Sequence, residues 1–272
     1  MSVLAGFSLP TTLIAQSAPR QPNVVIIVAD DLGYGDLSCY GAHRIQTPGM
    51  DRIANEGIRF TQGYCTAATS TPSRYSLLTG LYPWTNREAK ILPGNAALII
   101  NTQQVTLPKV MKQAGYVTGS VGKWHLGCLP EHLPLRHGFN EFFGLPYSND
   151  MWPFHPQPGH PYRALPLYDN ERVVEYNPTV NHMTTRITER ATAFIDKHKN
   201  EPFLLYVPYT QPHVPLGVSD KFKGKSGEGL YADVIMEIDW SVGEIMKTLK
   251  ENGLEVIEKV CDISARLIVN TA

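Results

Sequence analysis

Asp30 and Asp31 stand side by side at the end of an apolar run, residues 23–29, Asn-Val-Val-Ile-Ile-Val-Ala. Adjacent carboxylates repel unless a cation lies between them, and an all-oxygen donor set suits a hard divalent ion such as Ca²⁺ or Mg²⁺. A polar turn with one Asp capping a helix is the plainer alternative. Ser70-Thr71-Pro72-Ser73-Arg74 is more specific. Pro72 is placed to open a helix, which puts Ser70 at its positive end, where free N–H groups favour an anion. Arg74 adds a planar donor fork suited to an oxyanion; an ordinary Ser/Thr-Pro helix start with an exposed Arg is the alternative. Gly122-Lys123-Trp124-His125-Leu126-Gly127 sets side by side a cation and an imidazole able to move a proton near neutral pH. His213, in Tyr209-Thr210-Gln211-Pro212-His213-Val214-Pro215, follows another apolar run. Together these residues describe an anion site with a nucleophile, a metal and two imidazoles. Hydrolysis of a phosphate or sulfate ester fits it best, and spacing does not choose between phosphorus and sulfur. The remaining histidines, His43, His132, His137, His155, His160, His182 and His198, lack such placement and read as structural or exposed.

These side chains need a frame. The β-branched run 23–29 reads as a central parallel strand buried on both faces, and open α/β sheets bind ligands at the carboxyl ends of their strands. Thr47-Pro48 predicts a helix start, with Thr47 as N-cap and Gly57 closing the helix. Residues 58–64 can form a second strand, residues 72–78 a helix closed by Gly80, residues 107–114 a helix stopped by Gly115, and residues 116–121 a strand. Residues 126–178, crowded with Pro, Tyr, His and Trp, read as a long irregular loop region. Met183, Ile187, Ala191, Phe194 and Ile195 fall at helical spacing, residues 203–207 make another buried strand, and Tyr231 to Leu249 repeats apolar residues as an amphipathic helix ended by Gly253. Strands alternating with helices predict an α/β fold with a mostly parallel central sheet flanked by helices.

The chain has 272 residues, with 24 Lys+Arg against 25 Asp+Glu, a formal net charge of −1. That balance removes the electrostatic argument for a nucleic-acid or membrane-surface partner. Cys39, Cys65, Cys128 and Cys261 form no C-x-x-C pair, so neither a zinc site nor a disulfide scaffold is indicated. No apolar run reaches the roughly 18 residues of a membrane span. Residues 1–21 combine an apolar stretch with a small-x-small pattern, which predicts an export signal or a disordered tail, and hence a periplasmic or secreted protein.

The motifs resemble the N-terminal part of a type I sulfatase of the alkaline-phosphatase-like superfamily, nearest the arylsulfatase A and N-acetylgalactosamine-6-sulfatase branch. The matching stretches are residues 22–36, Thr47-Pro48 through Phe60, Ser70-Thr71-Pro72-Ser73-Arg74, Ser76 to Gly80, and Gly122 to Gly127. The resemblance implies that Ser70 is oxidised to formylglycine by a serine-type, radical S-adenosylmethionine maturase. One hydroxyl of the hydrate attacks sulfur and expels the alcohol, and the other expels sulfate by collapse to the aldehyde. It implies Asp30, Asp31 and the Ser70-derived oxygen as Ca²⁺ ligands (Mg²⁺ as the alternative ion), Arg74 as stabiliser of residue 70, and Lys123 as a sulfate clamp. His125 becomes the base that triggers sulfate elimination, His213 a sulfate contact that helps protonate the leaving oxygen, and Ser148 a further sulfate contact. The substrate implied is a sulfated sugar or aryl sulfate. A phosphoester hydrolase of the same superfamily, or an inactive fragment that only binds sulfated ligands, are the alternatives. The family also implies an Asp-Asn-Gly segment completing the metal site, a further lysine and a smaller C-terminal domain. None of these follows Gly253 here, so the expectation is a C-terminally truncated chain: residues 22–253 as the N-terminal part of the catalytic domain, and 254–272 as an atypical tail.

Overall fold

The computed structural model describes residues 21–90, 99–155, 159 and 162–254. Both predicted terminal segments lie outside these, apart from Gln21 and Leu254. Among the described residues six strands form one sheet: β1 (Val24–Asp30), β2 (Val117–Lys123), β3 (Glu141–Leu145), β4 (Pro166–Asp169), β5 (Arg172–Tyr176) and β6 (Phe203–Pro212). Their order is β1-β6-β2-β3-β4-β5. The first four in that order run parallel, while β3–β4 and β4–β5 are antiparallel. The mostly parallel α/β sheet is thus as the alternation predicts. It is flanked by α1 (Pro48–Glu56), α2 (Ser70–Thr79), α3 (Leu107–Gln113), α4 (Met183–His198) and α5 (Leu230–Glu251).

β6 is the spine. All ten of its residues are buried, because it lies between β1 and β2 and carries helices on both faces. Leu205, Val207 and Tyr209 join the core with Ile187, Phe194, Ile238 and Val242 of α4 and α5. Tyr206 points to the opposite face and packs with Tyr75, Leu78 and Trp124. Side chains alternate between faces along a strand, so one strand serves both cores.

The structure corrects several expectations. Residues 58–64 form no strand, and Ile58, Phe60 and Tyr64 are exposed; an apolar run without a sheet neighbour gains nothing from extended pairing. The stretch 126–178 is not irregular throughout. It holds β3, β4 and β5, which are short and interrupted by turns, so their period was hidden. Thr47 sits at the N-cap of α1, but its side chain does not cap: its hydroxyl donates to Asp51 Oδ1 at 3.1 Å. Asp239 of α5 caps instead, accepting Gly49 N at 3.1 Å and Met50 N at 2.8 Å. β2 ends at Lys123 and β6 at Pro212, each later than its apolar run suggested.

Glycines allow the close strand approach at the site's floor. Gly122 has φ +140°, and a Cβ there would run into the Pro208 carbonyl. Gly144 of β3 pairs with Gly122 of β2, with the same result for a Cβ against the Gly122 carbonyl. We expect Gly122→Ala to cost about 3 kcal/mol or more in urea unfolding, since the clash is with backbone rather than a flexible side chain. A loss below about 1 kcal/mol would contradict this packing.

Candidate active site

Four segments converge at the carboxyl ends of neighbouring parallel strands. Asp30 is the last residue of β1, paired in register with Pro212 of β6. Lys123 ends β2, opposite Leu145 of β3, and Ser148 follows three residues after that strand. Ser70 opens α2, with Thr69 as its N-cap, so its hydroxyl lies where the first N–H groups have no partner within the helix.

The centre of the arrangement is Asp30, whose side chain is fully buried. It receives Lys123 Nζ on Oδ2, and Arg74 Nη2 lies 3.4 Å from Oδ1. Burial by itself would raise the pKa of this carboxyl. The cations of Lys123 and Arg74, with His213, outweigh that effect and hold it well below the usual carboxylate range. Burial pushes the Lys123 ammonium down, with Arg74 adding to it and Asp30 opposing it. We take the pair as ionised, because Lys123 donates directly to an ionised carboxylate in a fully buried contact.

Arg74 is almost wholly buried and organises its surroundings by hydrogen bonds. Its Nε donates to Ser70 Oγ at 2.8 Å and its Nη1 to the Lys123 carbonyl at 2.6 Å. Nη2 has no hydrogen-bond acceptor among the described residues. His125 places Nδ1 3.3 Å from Ser70 Oγ, from a left-handed backbone position with φ +59°. Thr71 fixes that position by donating its hydroxyl to the His125 carbonyl at 3.1 Å. Ser70 Oγ is therefore held between a guanidinium and an imidazole at a helix N-terminus. Lys123 Nζ also donates to Ser148 Oγ at 3.1 Å, which joins Ser148 to the cluster.

Asp31 and His213 form the outer part of the site. Asp31 has φ +71°, which swings it off the strand direction of Asp30. Its Oδ2 lies 3.8 Å from His213 Nε2, and both side chains are partly exposed. Asp36 accepts Gly33 N at 2.8 Å and the Tyr231 hydroxyl at 2.7 Å. Its carboxylate shapes the turn after β1. His137, by contrast, is buried, stacks on Trp124 at 5.6 Å, and is pushed down to about 4 by burial, Lys109 and His132.

Asp30, Ser70, Arg74, Lys123, His125 and Ser148 thus make one connected cluster, with Asp31 and His213 at its rim. Asp30, Asp31 and the Ser70 hydroxyl are hard oxygen donors, the type that Ca²⁺ or Mg²⁺ takes. Among the described residues no three His, Cys, Asp or Glu side chains are grouped to hold a metal ion. The residues present therefore match a divalent cation in donor type and supply part of the roughly 6–8 oxygens that Ca²⁺ needs. Sequence reasoning passed over Gln211 and Asn149, both completely buried beside the site. The signal available was a pair of polar residues, Thr210-Gln211, prolonging an otherwise apolar strand.

Asp30→Asn should cost about 3–5 kcal/mol in urea unfolding, since it leaves two buried cations without their anion. Asp31→Asn should stay within about 1 kcal/mol, because the pair it breaks is partly exposed and Asn tolerates positive φ. Equal losses in the two variants would show that Asp30 is not the structural counter-ion.

A sequence profile of one family, Sulfatase, matches residues 22–255. An N-acetylgalactosamine-6-O-sulfatase of Bacteroides thetaiotaomicron is 39% identical over 284 aligned residues, covering 85% of this chain and 56% of that protein. Human arylsulfatase G is 36% identical, covering 91% of this chain and 53% of that protein. A solved structure from work on glycosaminoglycan metabolism by Bacteroides thetaiotaomicron superposes with a TM-score of 0.78 at 35% identity, covering 87% of this chain and 60% of that one. The chain thus spans about half the length of the curated relatives it matches.

Proposed function

Because the chain belongs to the sulfatase family, we propose that its site hydrolyses the sulfate ester of a sulfated carbohydrate, with residue 70 as nucleophile. The observation that carries this reading is Ser70 Oγ, bonded to Arg74 Nε and within reach of His125 Nδ1 at the start of α2. A sulfated sugar is favoured because relatives are named for N-acetylgalactosamine 6-sulfate. Export to the periplasm or outside the cell accords with such a polymeric substrate; among the described residues no helix is long and apolar enough to cross a membrane.

The roles follow from position. Converted to the formylglycine hydrate by a serine-type maturase, residue 70 supplies one hydroxyl to attack sulfur and a second to release sulfate. Arg74 Nε, at 2.8 Å, holds the residue-70 oxygen where the helix terminus stabilises negative charge. Lys123 and Ser148 donate to the non-bridging sulfate oxygens, and the two are already joined by a hydrogen bond. His125 is close enough to residue 70 to accept a hydroxyl proton at Nδ1. His213 Nε2, on the outer side, delivers a proton to the departing sugar oxygen. Asp30, Asp31 and the residue-70 oxygen would hold a Ca²⁺ ion, which when bound neutralises charge on the sulfate.

The test co-expresses the chain with a serine-type maturase and measures sulfate release from N-acetylgalactosamine 6-sulfate beside phosphate release from the matching phosphate ester. Sulfate release should dominate by at least about 100-fold and disappear in Ser70→Ala. Preference for the phosphate ester would move the site to phosphoester chemistry. Release of neither, with residue 70 converted, would reduce it to a binding site.

A further inference from the structure

His213 stands on a loop, and the structure shows what fixes that loop. Gln211, the second-last residue of β6, is completely buried and spends its whole side-chain amide on the six residues that follow. Nε2 donates to the His213 carbonyl at 3.1 Å and to the Pro215 carbonyl at 3.1 Å. Oε1 accepts Gly217 N at 3.0 Å. Only this orientation of the amide pairs all three backbone groups, since the reverse would set an oxygen against two carbonyls. Gly217 packs closely on the neighbouring chain, since a Cβ there would press on the Val180 backbone at 2.6 Å.

The same Pro215 carbonyl accepts Asn149 Nδ2 at 3.4 Å. Asn149 is completely buried and adjoins Ser148, the residue bonded to Lys123. The His213 loop and the Ser148 loop are therefore tied at one carbonyl oxygen. Within its own loop, His213 Nδ1 lies 2.5 Å from the Val214 carbonyl. A carbonyl only accepts, so Nδ1 carries the hydrogen and Nε2 is the nitrogen directed at the site.

We infer that Gln211 is a positioning residue: by stapling residues 213–217 it holds the Val214 carbonyl against His213 Nδ1, which fixes the tautomer and aims Nε2 at the leaving oxygen. This rests on the reading of His213 as the leaving-group acid. In the step, the bridging oxygen takes the Nε2 proton as its bond to sulfur breaks with its electron pair. The imidazole is left neutral, with its hydrogen on Nδ1. A sugar alkoxide is a poor leaving group and depends on that proton, whereas nitrophenolate leaves without it.

Two measurements test this in the full chain with residue 70 converted. The first is nitrogen NMR of ¹⁵N-histidine-labelled protein at a pH where the imidazole is neutral, with the His213 signal assigned by its loss in His213→Asn. The expected signature is the Nδ1–H tautomer in the native chain and a shift toward the commoner Nε2–H tautomer in Gln211→Met. An Nε2–H tautomer in the native chain overturns the inference whether or not the variant folds. So does an unchanged Nδ1–H signal in Gln211→Met. The second compares turnover of a sugar sulfate and of nitrophenyl sulfate. Gln211→Met should lower kcat on the sugar sulfate about 10-fold or more, and on nitrophenyl sulfate by less than about 3-fold. His213→Ala is the control for the underlying role. If it slows both substrates alike, the role of His213 fails. If it discriminates and Gln211→Met does not, only the role of Gln211 fails.

Discussion

One buried carboxylate holds this architecture together at its working end. Asp30 has no exposed surface, and an isolated charge there would be driven to protonate. It stays ionised because Lys123 reaches it from β2 and Arg74 from α2. β6 lies between β1 and β2, so this charge cluster passes over the end of the central strand. It fastens the strand ends and the start of α2 in a single arrangement. Such a cluster adds little net stability compared with apolar packing, but its members cannot be removed singly without a large penalty. Its value here is positional.

Position then becomes chemistry. The groups that restrain Asp30 also set the surroundings of Ser70: Arg74 gives Nε to the serine hydroxyl and Nη1 to the Lys123 carbonyl, while Lys123 gives Nζ to Ser148. These side chains are held by one another, and the low local dielectric strengthens each contact. Asp31 and His213 lie outside this locked set and are partly exposed. The division suits a site in which the anion is clamped deep and the alcohol departs toward solvent. Gln211 and Asn149 extend the fixed region outward by one shell of backbone contacts, through the Pro215 carbonyl.

Much of this was legible in the residues. The apolar runs that became β1 and β6 located the sheet, and the polar residues directly after them located the site. Gly-Lys-Trp-His follows the expected strand closely: β2 ends at Lys123, with His125 two residues beyond. What could not be read were relations between distant segments. Nothing near Asp30 in sequence says that Lys123 will sit on it. Nor does the sequence show that Asp31 leaves the strand direction of Asp30 through a left-handed backbone. Thr47 looked like a helix cap because the local pattern is right, yet Asp239, nearly two hundred residues on, supplies the acceptors. The strands within 126–178 escaped because β4 and β5 are four and five residues long, too short for alternation to stand out. Thr210-Gln211 marks a polar end to the strand, but not what Gln211 binds, because its partners are backbone groups.

The proposed chemistry requires Ser70 to be the residue that is activated. The most direct measurement is the mass of the peptide containing Ser70 after co-expression with a serine-type sulfatase maturase. The expected result is a loss of two hydrogens at residue 70 and capture of the resulting aldehyde by a hydrazine probe. An unmodified serine, in cells shown to mature another serine-type sulfatase, would contradict it.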